Sequence, residues 1–180
     1  MAQRHNEFLE RGARVFAISA DTPPMNAAVV RKLALPFPFL SDPERDRAIT
    51  PLGCADEEDL RQISRPGAMM ISTDGETAYT MLGRDYAHRP VEDLLLQRIE
   101  ALGLPPTSQD PPELGQVEPG EKAVPFEGLP HYFRGAKFTA LALRRRHRDL
   151  GDDFAEDTQA YLEMVDRYLD ALTCVEERRE

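Results

Sequence analysis

Apolar and polar positions fall in blocks along this chain, and the spacing inside each block predicts its element. Residues 64–83 form the central block: Ser-Arg-Pro-Gly-Ala-Met-Met-Ile-Ser-Thr-Asp-Gly-Glu-Thr-Ala-Tyr-Thr-Met-Leu-Gly. Two apolar runs flank Asp74-Gly75, which predicts a β-hairpin with a type I′ turn, because both central residues of that turn need positive φ. Pro66 suits the start of the first strand, where no ladder bond is asked of its nitrogen. Upstream, residues 2–11 read as the tail of a helix, with Phe8 and Leu9 as its apolar edge and Gly12 as its stop. Val15-Phe16-Ala17-Ile18 is a short continuous apolar run, the pattern of a strand covered on both faces. A helix is predicted over about 25–33. Residues 35–40 follow as an edge strand or extended segment, since Pro36 and Pro38 interrupt any ladder. Ser41-Asp42-Pro43-Glu44 reads as a helix start with Asp42 as N-cap, and predicts a helix carrying Ala48, Ile49 and Leu52 up to Gly53. Beyond the hairpin, Pro90 opens a helix whose stripe is Val91, Leu94, Leu95, Ile99 and Leu102, closed by Gly103.

This order of helices and strands predicts an α/β fold with a mixed sheet, the hairpin lying beside residues 15–18 in one common sheet. Residues 104–127 are rich in Pro and Glu and predict an extended linker. Two amphipathic helices follow. The first spans about 130–148 with Phe133, Phe138, Leu141 and Leu143. The second spans about 153–178 with Phe154, Tyr161, Leu162, Val165, Tyr168, Leu169 and Leu172. A turn at Gly151-Asp152 makes them an antiparallel helical hairpin, which docks on the first domain or forms a homodimer. The expected division is 1–103, 104–127 and 128–180.

Composition narrows the function classes. With 180 residues there is room for one domain and an appendage. The net charge of −10 argues against a protein that holds nucleic acid or an anionic membrane. No apolar run approaches the roughly 20 residues of a membrane span, and the N-terminus lacks the apolar core of a signal peptide, so a cytoplasmic protein is expected. Cys54 and Cys174 are too few for a disulfide scaffold. His5, His88, His131 and His147 have no metal-ligand spacing, and neither a metal nor another cofactor is expected. The basic cluster Arg144-Arg-Arg-His-Arg148 is expected to complement its helix C-terminus and pair with the acidic helix after it.

Three blocks, in order, carry a resemblance: Gly12-Ala-Arg-Val-Phe-Ala-Ile-Ser-Ala-Asp21, Leu35-Pro-Phe-Pro-Phe-Leu-Ser-Asp-Pro-Glu44, and Ser64-Arg-Pro-Gly-Ala-Met-Met-Ile-Ser-Thr-Asp-Gly75. Over residues 1–103 the chain resembles the peroxiredoxin-like redoxins of the alkyl hydroperoxide reductase/thiol-specific antioxidant family. The resemblance implies a thioredoxin-like fold, here incomplete, and thiol-dependent reduction of hydroperoxides with a reductant such as thioredoxin. It also implies an attacking cysteine in a Pro-x-x-x-Thr-x-x-Cys loop, held at a helix N-terminus where the dipole and an arginine lower its pKa. This chain contains no such motif, so the front of the fold is expected to be missing and the activity impaired. Arg65 lies near the position of the family's peroxide-polarising arginine, and Pro66 matches the cis-proline of thioredoxin-like proteins. The bland alternative is a surface arginine ahead of a turn proline. Cys54 is either a resolving thiol or an incidental loop cysteine whose acidic neighbours, Asp56, Glu57, Glu58 and Asp59, raise its pKa. The alternative function is a non-catalytic, redoxin-derived interaction module that works through the helical hairpin.

Overall fold

The computed structural model describes residues 1–85, 88–110, 117–121 and 123–179. The chain divides into two compact units, Met1–Arg31 with Leu35–Glu121, and Lys32–Ala34 with Lys122–Glu180. Part of the expected linker, 111–116 and 122, lies outside the described residues. Among the described residues no helix is long and apolar enough to cross a membrane.

The first unit is mixed α/β. Helix α1 spans His5–Glu10, strand β1 Ala17–Ser19, helix α2 Pro23–Leu33 and strand β2 Phe39–Ser41. The crossover through α2 sets β2 parallel to β1, Ala17 opposite Phe39 and Ser19 opposite Ser41. Asn26 on α2 locks this pair. Its Nδ2 donates to the Leu40 carbonyl at 3.0 Å and to Ser41 Oγ at 2.9 Å, and its Oδ1 accepts from Ser19 Oγ at 3.0 Å. The central hairpin is present as β3, Gly67–Ile71, antiparallel to β4, Thr77–Leu82. Helix α3, Glu92–Glu100, completes the unit.

One apolar cluster holds these elements: Phe8, Val15, Phe37, Leu95, Leu96 and Ile99, with Ala17 of β1 and Ala68, Met70 and Tyr79 of the hairpin packed against it. Burying each such large side chain contributes about 1.5–3 kcal/mol. Arg98 adds its guanidinium 4.3 Å from the Tyr79 ring centroid. Gln109 ties the chain after α3 back to the core, accepting the Val15 N–H at 3.0 Å while His5 Nε2 stands 3.1 Å from the same oxygen.

In the first unit the structure differs from the sequence reading at several points. The strands form two separate two-stranded sheets, β1-β2 and β3-β4, instead of one common sheet. Each ladder is completed by its neighbour in sequence, and the two meet through side chains on the shared cluster. The hairpin turn is not type I′, because Asp74 is not among the residues at positive φ. Gly75 alone of the pair is there, at +88°, its N–H bonded to the Ser72 carbonyl while Ser72 N donates to the Glu76 carbonyl. This is a type I turn with a glycine bulge. The helix expected after Asp42 does not form. Arg45 sits at φ +60° and Pro51 has no N–H to give, so the segment coils in turns. In α3 the buried stripe is Leu95, Leu96 and Ile99, whereas Val91, Leu94 and Leu102 are exposed.

The second unit is an antiparallel helical hairpin, α4 (Leu129–Arg146) and α5 (Asp152–Arg179), turned at Gly151 with φ +86°. Phe126 packs with Leu172 and Val175, and the rings of Phe133 and Tyr168 lie 5.2 Å apart. Lys137 Nζ meets Asp166 at 2.5 Å and Arg144 Nη1 meets Gln159 at 2.7 Å. These contacts turn Phe133, Lys137, Ala140 and Arg144 toward α5. Phe138, Leu141 and Leu143, read as members of that stripe, are exposed instead.

Two tests follow from this packing. A Cβ at Gly83 would collide with the His88 carbonyl oxygen and lie 3.1 Å from Pro66 Cγ. Gly83→Ala is therefore expected to destabilise by about 1–3 kcal/mol in urea denaturation, and a neutral result would show that the turn after β4 yields freely. The carboxylate of Asp42, 3 % exposed, accepts the N–H groups of Arg47, Ala48 and Ile49 at 3.3, 2.9 and 2.9 Å. These bonds, that of Ile49 foremost, hold its pKa below the ordinary value. Asp42→Ala is expected to lower the urea midpoint. The gap between wild type and variant should be constant down to about pH 4 and close as pH falls through the depressed folded pKa.

Candidate functional site

The residues that bear on redox chemistry meet where the chain after β2 returns to the hairpin. The Asp42 carboxylate sets its course. By binding three successive N–H groups it turns the chain so that Ile49 is buried, and the Ile49 carbonyl then accepts the Cys54 N–H at 2.8 Å. The Cys54 carbonyl in turn accepts the Arg65 N–H at 2.8 Å, and Ala55 bridges Ser64 in antiparallel fashion. Cys54 and Arg65 thus stand side by side at the neck of an acidic loop. Its tip carries Leu60, 99 % exposed.

Arg65 faces the mouth of the hairpin. Its Nε and Nη2 both donate to the Gly83 carbonyl, at 3.1 and 3.0 Å, and the Gly83 N–H donates to the Pro66 carbonyl at 2.6 Å. The planar fork of donors on one carbonyl makes this guanidinium a clasp across the ends of β3 and β4. The peptide bond before Pro66 is trans, so the cis-proline read at Pro66 is not formed. The extended trans chain carries the Pro66 carbonyl into register with Gly83, where the ladder of Gly67–Ile71 begins.

Cys54 Sγ lies 3.7 Å from Met69 Sδ and 3.6 Å from the Leu52 carbonyl oxygen. Burial pushes the thiol pKa up, and the charge of Arg65 draws it back only in part. The acidic neighbours are not the cause. Asp56 is occupied with the N–H groups of Glu58 and Asp59, and Asp59 is paired with Arg61, which holds its own pKa down at about 2. Cys174 is half-buried near the C-terminal end of α5. Both cysteines are free thiols, and neither begins a helix. A thiol whose pKa burial raises carries less thiolate at a given pH than an ordinary one, and the nearby guanidinium is engaged by a carbonyl.

The histidines are dispersed. His5 is buried against Phe37, ring centroids 5.7 Å apart, His88 lies after the hairpin, His131 is on α4, and His147 faces Phe154 at 6.3 Å. Among the described residues no group of three His, Cys, Asp or Glu is placed to hold a metal ion. Met69 and Gln109 were not legible as parts of this frame. Met69 sits in an apolar run with nothing to mark its face, and Gln109 sits in a segment without periodicity.

Residues 1–80 match the model of the AhpC/TSA family, taking in α1 to β3 and most of β4, a shorter stretch than the 1–103 of the resemblance. No curated protein matches the chain. The parallel β1-α2-β2 crossover and the hairpin after it are consistent with this match, by which residues 1–80 are similar to a peroxiredoxin-like redoxin of thioredoxin-like fold.

Proposed function

We propose that this chain is a redoxin scaffold of the thiol peroxidase type whose own capacity to reduce hydroperoxides is weak or absent. The reading is supported by the setting of Cys54, the one thiol of the first unit, which stands in a turn against Met69 and whose pKa burial raises above the ordinary value. In the reaction implied by the family, a thiolate attacks a peroxide oxygen and the O–O bond breaks. The alcohol or water leaves with a proton, and a sulfenic acid remains for a thiol reductant such as thioredoxin to reduce. The first step needs an ionised sulfur, and a helix N-terminus is the usual means of supplying one. Cys54 stands in a turn and Cys174 far along α5. Arg65, the candidate for polarising a peroxide, is held on the Gly83 carbonyl by two of its donors.

The helical hairpin supports a second role. Phe138 and Tyr132 of α4 are 68 % and 69 % exposed, which fits a chain whose second unit contacts another protein.

Peroxide consumption coupled to thioredoxin and its reductase tests the first reading. Wild type and Cys54→Ser are expected to turn over at the same low rate. Robust turnover that Cys54→Ser abolishes would overturn it and make Cys54 the attacking group. Alkylation by iodoacetamide, followed peptide by peptide in a mass spectrometer, probes the cause. Cys54 is expected to react more slowly at neutral pH than a free thiol of ordinary pKa about 8.5. Replacing Glu57 and Glu58 by glutamine should leave that rate unchanged, because burial sets it.

A further inference from the structure

Charge on the helical hairpin is sorted by helix. Residues 129–148 hold six Lys and Arg and no carboxylate, in a chain of net charge −10. On α4 an exposed seam runs His131, Gly135, Phe138, Ala142 and Arg145. These steps of four and three residues are the spacing at which one helix packs along another. Gly135 and Ala142 leave room for close approach, Phe138 stands out between them, and a Cβ at Gly135 would meet nothing within 4 Å. Among the described residues, Arg134, Arg145 and Arg146 beside this seam make no ion pair.

On α5 a second exposed seam has the same spacing. Glu156, Glu163, Asp170 and Glu177 recur every seven residues, a carboxylate stripe about 30 Å long at 1.5 Å per residue. Between them lie Ala160, a small exposed counterpart of Gly135, Arg167, an exposed cation within the stripe, and the half-buried Cys174. Two seams of one spacing are therefore presented by the same unit, one basic and apolar and one with four carboxylates to a single arginine.

We infer that the α4 seam is an interaction surface for a second copy of this chain, which it engages through the acidic seam of that copy's α5. The guanidinium groups of Arg145 and Arg146 meet carboxylates of the α5 stripe, and Phe138 is buried where the small residues let the helices approach. Phe138 supplies the area removed from water, and the charges choose the partner and its register. Other acidic bodies compete for the same face, an anionic lipid surface among them. A second copy is favoured because it brings the matching seven-residue period as well as the sign. The inference is independent of the redox chemistry of the first unit.

The test is sedimentation velocity of the full chain over a concentration series, at low and high salt, with circular dichroism to confirm helix content. Wild type is expected to pass from 20.3 kDa to at least twice that mass as concentration rises, with association weakened by salt. Phe138→Asp, and separately Arg145→Glu with Arg146→Glu, should weaken self-association about tenfold or more. Glu163→Lys with Asp170→Lys should do the same from the other side. Mixing the two charge-reversed variants should restore it. A wild-type chain that stays monomeric throughout would overturn the inference. So would association indifferent to Phe138→Asp, a mixture that fails to recover, or a monomer that binds phosphatidylserine vesicles through Phe138.

Discussion

One buried carboxylate decides the course of the chain between the two sheets of the first unit. Asp42 follows β2 directly and accepts three consecutive backbone N–H groups, an arrangement that places Ile49 in the interior and delivers Cys54 to the neck of the acidic loop. Buried backbone donors left without a partner would cost about 1–3 kcal/mol each, so coiled chain here is tolerable only because the side chain stands in for the missing helical acceptors. The position of the thiol, the contact with Met69 and the pairing with the Arg65 backbone all lie downstream of that choice.

The candidate site is consequently organised around holding the fold together. Arg65 has the chemistry to steady an anion, yet its fork of donors closes on Gly83. Cys54 has the chemistry to attack a peroxide, yet burial favours its neutral form. The match of residues 1–80 to the AhpC/TSA family and a thiol of raised pKa are compatible, because a family match rests on the scaffold whereas the reaction rests on an ionised sulfur.

Most of the elements were legible because their periodicities are strong. The hairpin at residues 64–83 and the two long helices occupy the stretches that their spacing indicated, whereas β1 begins only at Ala17 and leaves Phe16 and Ile18 exposed, against the strand covered on both faces read at 15–18. What escaped was governed by choices between equal local options. Ser-Asp-Pro-Glu is an equally good start for a helix and for a coil capped by Asp42, and φ +60° at Arg45 cannot be read from an arginine. Asp-Gly suits both a two-residue turn and a type I turn with a bulge, and Asp74 settled on the second by accepting the Ser72 hydroxyl and the Glu76 N–H. On α4 the apolar residues outnumber the places α5 can cover, so periodicity alone could not say that Ala140 goes in and Phe138 out. At the site, Arg65 and Cys54 were visible as residue types, while their engagement with Gly83 and Met69 depends on chain crossings with no local signature.

The discontinuity between the β1-β2 and β3-β4 ladders has a bearing on how the first unit comes apart. In a continuous sheet, fraying of one strand is passed sideways through main-chain bonds. Here the two pairs are joined by van der Waals contact with Phe8, Leu95 and Ile99. Mechanical coupling therefore belongs to those side chains: a methyl group lost from Ile99 is felt by both pairs, whereas a bond lost between Ala17 and Phe39 stays where it occurs.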